Sequence, residues 1–527
     1  MLWLLPPPVL PTPSRTGPEG PPRTFGAEPR PGPAPPRTAP GLARAQNRAL
    51  LEGPFPSGGL ERGVSEGKLL LEEGEAGRAL AVQRIAQTGA SVVRIPVDWR
   101  DDVLPDPPAG FQPADPADPS YRFERVDAAV QSVAAAGLQP LLVVSHAPAF
   151  AEAPGRWPYA YQGSWAPSPA ALEGFATALA RRYDGTFADP RAPGRTLPRV
   201  RLLQAWNEPN LARYLEPQWV AHEGRWSAFS PPLYRQMLNA FYAGVKAGAP
   251  DDLVLAAGVA PNGERAGLGR MAPVSFLRSL LCVSARWRRS ACAQPVHFDI
   301  LDFHPLSVAS PDRAARSSLD VSIADAAKIT GLLRAAQRLR TVLPAGRKPV
   351  WVTELNWESA PQATSGVAPA LQAAWISRAL HRLWVAGVSL VAWQFLLDPF
   401  PELTASTPTG AIVEYPRPAG LFAPGPGGGL LGASAKPFLT GFSLPLDPLR
   451  VTRARVRVWA LAGAPRAPVT LQRRLRSGAW STIARLRAGP AGVLNVLVAL
   501  RGAMTLRVLC AGLISAPAPI PAGRSRL

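Results

Sequence analysis

Two glutamates stand out by where they fall. Glu208 closes the run RLLQAWNEPN, and Glu354 closes KPVWVTELNW. In each, an apolar, strand-like segment stops at a carboxylate. Pro209 cannot donate a ladder hydrogen bond, so the strand before Glu208 ends about there. Both carboxylates then sit at the carboxyl ends of strands and not on solvated helix faces. Two carboxylates across a cleft with aromatic walls suit glycosidic cleavage. One protonates the leaving oxygen, and the other attacks the anomeric carbon or activates water. Plainer readings exist. Glu208 could be an acid at a helix start, and Glu354 could pair with a Lys or Arg.

The chain supplies elements to hold such a pair. From about Leu51, strand candidates alternate with amphipathic helices, the pattern of a parallel sheet with crossover helices. Strands fall near residues 92, 141, 202, 254, 298, 350 and 390. Helices are expected at 78–89, 123–137, 168–183, 231–248, 273–281, 322–343 and 366–387, with a closing helix at 433–443. Ser168 and Pro169 mark one start, and Gly89, Gly137 and Gly387 mark stops. GGLERGVSEGKLLL is a weakly marked first strand that brings the count to eight. The units are longer than a minimal (β/α)8 TIM barrel requires but within what insertions allow. An open doubly wound sheet is the alternative. No Gly-rich phosphate loop follows an early strand, which favours the barrel. Strand ends carry Arg94, Asp98, His146, Asn207, Asn262, His304, Asn356, Trp393 and Gln394 as well as the two glutamates. A closed barrel turns all of them toward one mouth.

Beyond Leu446 the period changes to two. VTRARVRVWA alternates Arg with apolar residues, and VTLQRRLRSGAWSTIARLRA reads as a hairpin turning at Ser477-Gly478. A small all-β, sandwich-like module is expected over 446–515, after a catalytic domain at 51–445. Residues 1–50, with 14 Pro in the first 40 positions, and residues 516–527 are expected to lack structure. The net charge of +20 concentrates at the ends: residues 446–527 hold 14 Arg and a single acid, Asp447. The body is nearly neutral, unlike a fold built around a nucleic-acid groove, so no nucleic-acid partner is expected. The Arg residues of the β module could form a solvated face or contact an acidic polymer. Cys282 and Cys292 flank SARWRR and could close it as a disulfide or remain free thiols. No Cys/His spacing suggests a metal, and no cofactor is expected. No segment approaches the ~20 apolar residues of a membrane span. MLWLLPPPVLP makes a poor signal peptide, lacking a basic start and interrupted by prolines.

WNEP and TELNW together resemble the fourth and seventh strands of retaining clan A glycoside hydrolases, in detail the cellulase-type, family 5-like members of actinobacteria. RIPVDW is similar to their second strand. The stretch ADPSYRFERVDAAVQSVAAAGLQPLLVVSHAPAF resembles the approach to the third, FDILDFHPL the sixth and AWQF the eighth. The resemblance spans roughly residues 75–443. It implies that Glu208 is the acid/base and Glu354 the nucleophile. It also implies that Asn207 holds the sugar 2-OH and that Arg94 lies under Glu354 to keep it charged. His146 and His304 would line the sugar site, and Trp393 would stack on a pyranose face. Trp99, Trp157, Trp165 and Trp357 either line the cleft or pack beneath it. One departure stands out. The family often carries a Tyr shortly after the sixth-strand His, yet here the run is His304-Pro305-Leu306, so another donor must hold Glu354.

The expected function is hydrolysis of a β-linked glycoside or polysaccharide by double displacement, performed by a monomer outside the cell or at its surface. Transglycosylation on the same scaffold and a non-catalytic carbohydrate-binding module are the alternatives.

Overall fold

The computed structural model describes residues 40–361, 363, 366–399, 418–523 and 525. Eight parallel strands close into a barrel. They are β1 (Glu61–Ser65), β2 (Val92–Asp98), β3 (Gln139–Ser145), β4 (Leu202–Ala205), β5 (Leu253–Val259), β6 (Ile300–Phe303), β7 (Val350–Leu355) and β8 (Val388–Gln394). Neighbours pair in chain order, and β1 closes the ring by pairing Glu61–Ser65 with Leu390–Gln394. The weakly marked first strand is thus present inside GGLERGVSEGKLLL. Lys68–Leu71 of that stretch forms a helical turn instead.

Side-chain alternation divides the barrel interior into layers. Val92, Leu141, Leu202, Leu255, Ile300 and Leu390 form an apolar lower layer. Two residues further along the same inward rows stand Arg94, Gln204 and Asp302, and Thr353 stands two beyond Trp351. The interior is therefore oily at the bottom and polar just beneath the mouth. Outward-facing strand residues join the main core under the helices. Burial on both faces explains why the strands read as near-continuous apolar runs.

The helices are α1 (Pro40–Glu52), α2 (Glu75–Gln87), α3 (Glu124–Ala135), α4 (Pro169–Arg182), α5 (Ser230–Gly248), α6 (Pro273–Leu280), α7 (Ala327–Arg338) and α8 (Pro369–Val385). Ser168 caps α4, its side chain accepting from the Ala171 amide at 3.3 Å. Helices α4 and α5 pack closely at Gly244, where a Cβ would fall 2.3 Å from the Glu173 carbonyl. The helix expected over 322–343 is shorter. Ser322 and Asp325 form a capping box around a 3-10 turn at Ile323–Asp325, and Val342–Leu343 is a strand. The closing helix covers only Leu439–Ser443. No described helix is long and apolar enough to cross a membrane.

The C-terminal module holds two antiparallel sheets. One comprises β9 (Leu446–Thr452), β10 (Arg455–Leu461) and β13 (Val493–Ala499). The other contains β11 (Pro468–Arg474), β12 (Trp480–Arg487) and β14 (Met504–Cys510). Val456 and Val458 of the first meet Leu471, Leu506 and Val508 of the second in one core. The expected hairpin is formed by β11 and β12, with Gly478 at φ +88° in its turn. Ala518–Ile520 is a strand paired with Met504–Leu506, which corrects the expectation of a structureless tail there. Residues 524, 526 and 527 of that tail lie outside the described residues. The N-terminal segment expected to be structureless lies outside them up to residue 39. Its last part is helix α1, whose Leu50 and Leu51 pack on Leu449.

Asp447, the lone acid of the module, joins it to the barrel. It accepts from Arg378 Nε at 2.8 Å and from His381 Nδ1 at 2.7 Å, both on α8. Trp459 of β10 stacks on His381 with ring centroids 4.8 Å apart. Two arginines expected on a solvated face are instead structural. Arg450 is fully buried, and Arg457 lies over the Phe55 ring at 4.4 Å.

Candidate active site

Glu208 and Glu354 meet at the carboxyl end of the barrel, as their strand-end positions require. One oxygen of each and Nδ1 of His304 all lie within 4.8 Å of one another. Both carboxylates are nearly buried, so what surrounds them decides their behaviour.

The backbone around Glu208 is held in an unusual shape. Trp206 has φ +70° and Glu208 has φ +36°, a left-handed region that non-glycine residues seldom occupy. Side chains pin it there. Asn210 donates to the carbonyls of Ala260 (3.1 Å) and Met271 (2.9 Å) and accepts from the Ala260 amide. Gln218 donates to the Pro209 carbonyl at 2.9 Å, and the Trp206 indole to the Tyr214 carbonyl at 2.6 Å. The turn thus lifts Glu208 off the strand axis toward its partner.

Glu354 is gripped from two sides. Arg94 Nη1 donates to Oε1 at 2.6 Å, and Gln394 Nε2 donates to Oε2 at 2.8 Å. Asn356 donates to Oε1 of Gln394 at 2.9 Å and so orients that amide. Arg94 is also a hub. Its Nη2 donates to Asn207 Oδ1 at 2.6 Å, Nε to Gln204 at 3.3 Å and Nη1 to Ser65 at 3.2 Å. With Oδ1 of Asn207 committed to Arg94, its Nδ2 donor points the other way.

His304 is fully buried between the carboxylates. Nδ1 lies 3.1 Å from Glu208 Oε1 and 3.7 Å from Glu354 Oε2, and Nε2 lies 3.2 Å from Asp302 Oδ2. Burial works against a charged imidazole. The carboxylates of Glu354 and Asp302, with hydrogen bonds to Asp302 and Glu208, outweigh it and raise His304 to about 10. At neutral pH both ring nitrogens therefore carry protons and donate. Asp302 is itself fixed by the Thr353 amide (3.0 Å) and hydroxyl (2.5 Å).

Glu208, His304 and Glu354 are geometrically able to hold a metal ion. An ion there would displace the imidazolium proton and face the Arg94 cation, so the surrounding charges disfavour it.

Four of the residues singled out with the glutamates are thus drawn to them directly or through one hydrogen bond: Arg94, Asn207 and His304, and by its amide Gln394. His146 sits further out, half-buried, with Nδ1 3.1 Å from Asp98 Oδ2 and its ring stacked on Tyr214 at 5.3 Å. The expectation for Trp393 is corrected. Its indole is fully buried against Trp357, Phe438 and Phe442 and donates to the Ala419 carbonyl at 2.8 Å, so it offers no face to a sugar. Trp99, Trp165 and Trp357 are likewise buried, while Trp157 stays half-buried on the loop after β3. Asn356 and Gln394 were expected at the mouth but given no role, and Asp302, Thr353 and Gln204 were not expected as site residues. Their signal was a polar residue on an inward row of an apolar strand.

No protein-family model matches the chain, and no curated protein matches it at a significant level. Solved structures do. The chain is similar to a family 39 glycoside hydrolase from the gut symbiont Bacteroides cellulosilyticus WH2, at 16% identity and TM-score 0.47, over 84% of this chain and 81% of that one. It is similar to a monomeric beta-xylosidase from Caulobacter crescentus CB15, at 13% identity and TM-score 0.46, over 86% of this chain and 97% of that one. A GH30 endoxylanase from Clostridium papyrosolvens C71 matches at 12% identity and TM-score 0.42, over 87% of this chain and 98% of that one. These likenesses concern the fold, and the chemistry rests on the side chains described above.

Proposed function

We propose that this chain is a retaining O-glycosidase acting on a β-linked glycoside, with Glu354 as nucleophile and Glu208 as acid/base. The separation of the two carboxylates carries the reading. One oxygen of each lies within 4.8 Å of the other, which fits the ~5–5.5 Å spacing of retaining pairs better than the ~6.5–9.5 Å that inverting enzymes keep for a water.

Each residue then has a task. Glu354, with a donor on each oxygen, attacks the anomeric carbon as Glu208 gives its proton to the leaving oxygen. The glycosyl–Glu354 ester forms and the old glycosidic bond breaks. Water then enters, Glu208 takes its proton, and the ester is cleaved. With Oε1 of Glu208 accepting from the His304 imidazolium, Oε2 is the oxygen left to carry the transferred proton. The Nδ2 donor of Asn207 is available to a sugar hydroxyl whose hydrogen bond strengthens in the transition state. The motif resemblance supports clan A and the cellulase-type branch, and the disulfide between Cys282 and Cys292 supports action outside the cell.

A transglycosylase reading has one observation in its favour. The loop after β3 exposes Tyr159 and Tyr161, and Tyr159 lies 5.5 Å from Trp157, so an acceptor sugar has aromatic surface to meet. Product analysis with added acceptor sugars separates the two.

The test is the configuration of the first product released from an aryl β-glycoside, read by proton NMR. Retention, with Glu208→Ala and Glu354→Ala each abolishing turnover, is expected. Inversion, or an active Glu354→Ala variant, refutes the assignment.

A further inference from the structure

The nearly neutral barrel hides a concentrated basic face. Two segments feed the amino-terminal ends of β6 and β7, on the rim opposite the glutamates. They are the loop between Cys282 and Cys292 and the stretch from α7 to β7. A short parallel bridge of Val296–His297 with Val342–Leu343 ties them side by side. The loop is rigid: a disulfide closes it with Cα atoms 6.0 Å apart, and the Trp287 amide donates to the Ser284 carbonyl at 2.9 Å.

The loop presents Trp287, 49% exposed, at a backbone φ of +58°. Arg286, Arg288 and Arg289 stand exposed around it. The indole overhangs Gly331 of α7, where a Cβ would lie 3.8 Å from the ring. On the same helix face, three and seven residues on, come Arg334 and Arg338. They line a shallow, open depression with Gln337, Gly346 and Arg347. Arg340 is exposed beside it. Neither 282–292 nor 327–349 contains an Asp or Glu. Of the acids flanking these segments, Asp299 is paired with Lys246 at 3.2 Å and Asp325 with Lys328 at 3.3 Å.

We infer that this lower face is a binding site for an acidic polysaccharide. The guanidinium groups match carboxylate or phosphate substituents, which Arg binds through paired hydrogen bonds. The rigidly framed indole offers a flat apolar face to a pyranose ring, and a shallow, open surface suits a chain and not a small molecule. The choice of a glycan among polyanions rests on the glycosidase reading. Bound this way, the enzyme is anchored to an anionic polymer with its catalytic mouth facing outward.

The test is affinity electrophoresis of the full chain in gels containing polygalacturonate, with neutral dextran, duplex DNA and phosphatidylglycerol vesicles as comparison probes. Retardation by polygalacturonate, lost at high salt, is expected. Arg334→Gln/Arg338→Gln and Trp287→Asn should each weaken it about tenfold, the scale of one or two charge-assisted contacts, and leave turnover of a small aryl glycoside unchanged. No retardation of the wild type, retardation of both variants as strong as that of the wild type, or tighter binding to DNA or vesicles overturns the proposal. A chain that binds polygalacturonate but turns over no glycoside would sink the proposed function and leave this site standing.

Discussion

Gln394 donates its side-chain amide to Oε2 of Glu354 at 2.8 Å, opposite the Arg94 contact on Oε1. It is the second donor on Glu354, in a chain with no tyrosine shortly after His304 to supply one. Gln394→Leu removes the donor and keeps the volume. A hydrogen bond to a charged group contributes about 1.5–3 kcal/mol, so kcat on an aryl glycoside should fall about 10- to 100-fold with KM little changed. A drop confined to KM would show that Gln394 binds sugar and does not position Glu354.

The state of His304 makes a pH prediction for stability. Its folded value is raised from 6.5 to about 10. The stabilisation from this charge is therefore fully present below about pH 6.5 and is lost as pH rises through about 10. Urea midpoints of the wild type and His304→Gln should converge across that window. A difference that stays constant from pH 6 to 10 would mean that the imidazole is neutral throughout.

Asp447 makes the opposite prediction. Burial pushes its carboxyl up, but Arg378 and then His381 outweigh this and hold it down at about 2. Its contribution is present above the ordinary 3.8 and is lost as pH falls through about 2. Asp447→Ala leaves the buried His381 without its acceptor and takes one from the part-buried Arg378, which keeps its ion pair with Asp312. Breaking a fully buried pair costs about 3–5 kcal/mol, so a loss at the lower end, about 3 kcal/mol, is expected. Urea unfolding at pH 7 measures it. A loss below about 1 kcal/mol would make the clamp no more than a surface-type ion pair.

The reach of the sequence depended on what each pattern encoded. Strands β2 to β8 were legible because burial on both faces demands apolar runs. Strand β1 was faint because its five residues serve other ends. Arg62 caps the carbonyls of Phe442 and Ser443, and a Cβ at Gly63 would come within 3.1 Å of Ala392. Both glutamates and Arg94 were found from strand-end position. Trp393 was misplaced by one step of alternation. Leu390, Ala392 and Gln394 face inward, so Trp393 must face the helices, and the inward Gln394 holds Glu354. The basic lower face was invisible because charge was summed over the whole barrel, while its arginines come together only when two connections lie side by side.

The pairing of β1 with β8 has a consequence during synthesis. Ser65 touches Arg94, and Arg94 touches Asn207 and Glu354, so the site draws on nearly the whole barrel. At ~10 residues per second, β1 leaves the ribosome on the order of half a minute before β8. Through that interval both edges of the growing sheet stay open. Contacts this distant in sequence also slow folding. Ring closure by Gln394 and its neighbours is thus the step at which an unfinished, edge-exposed sheet becomes both protected and complete around Glu354.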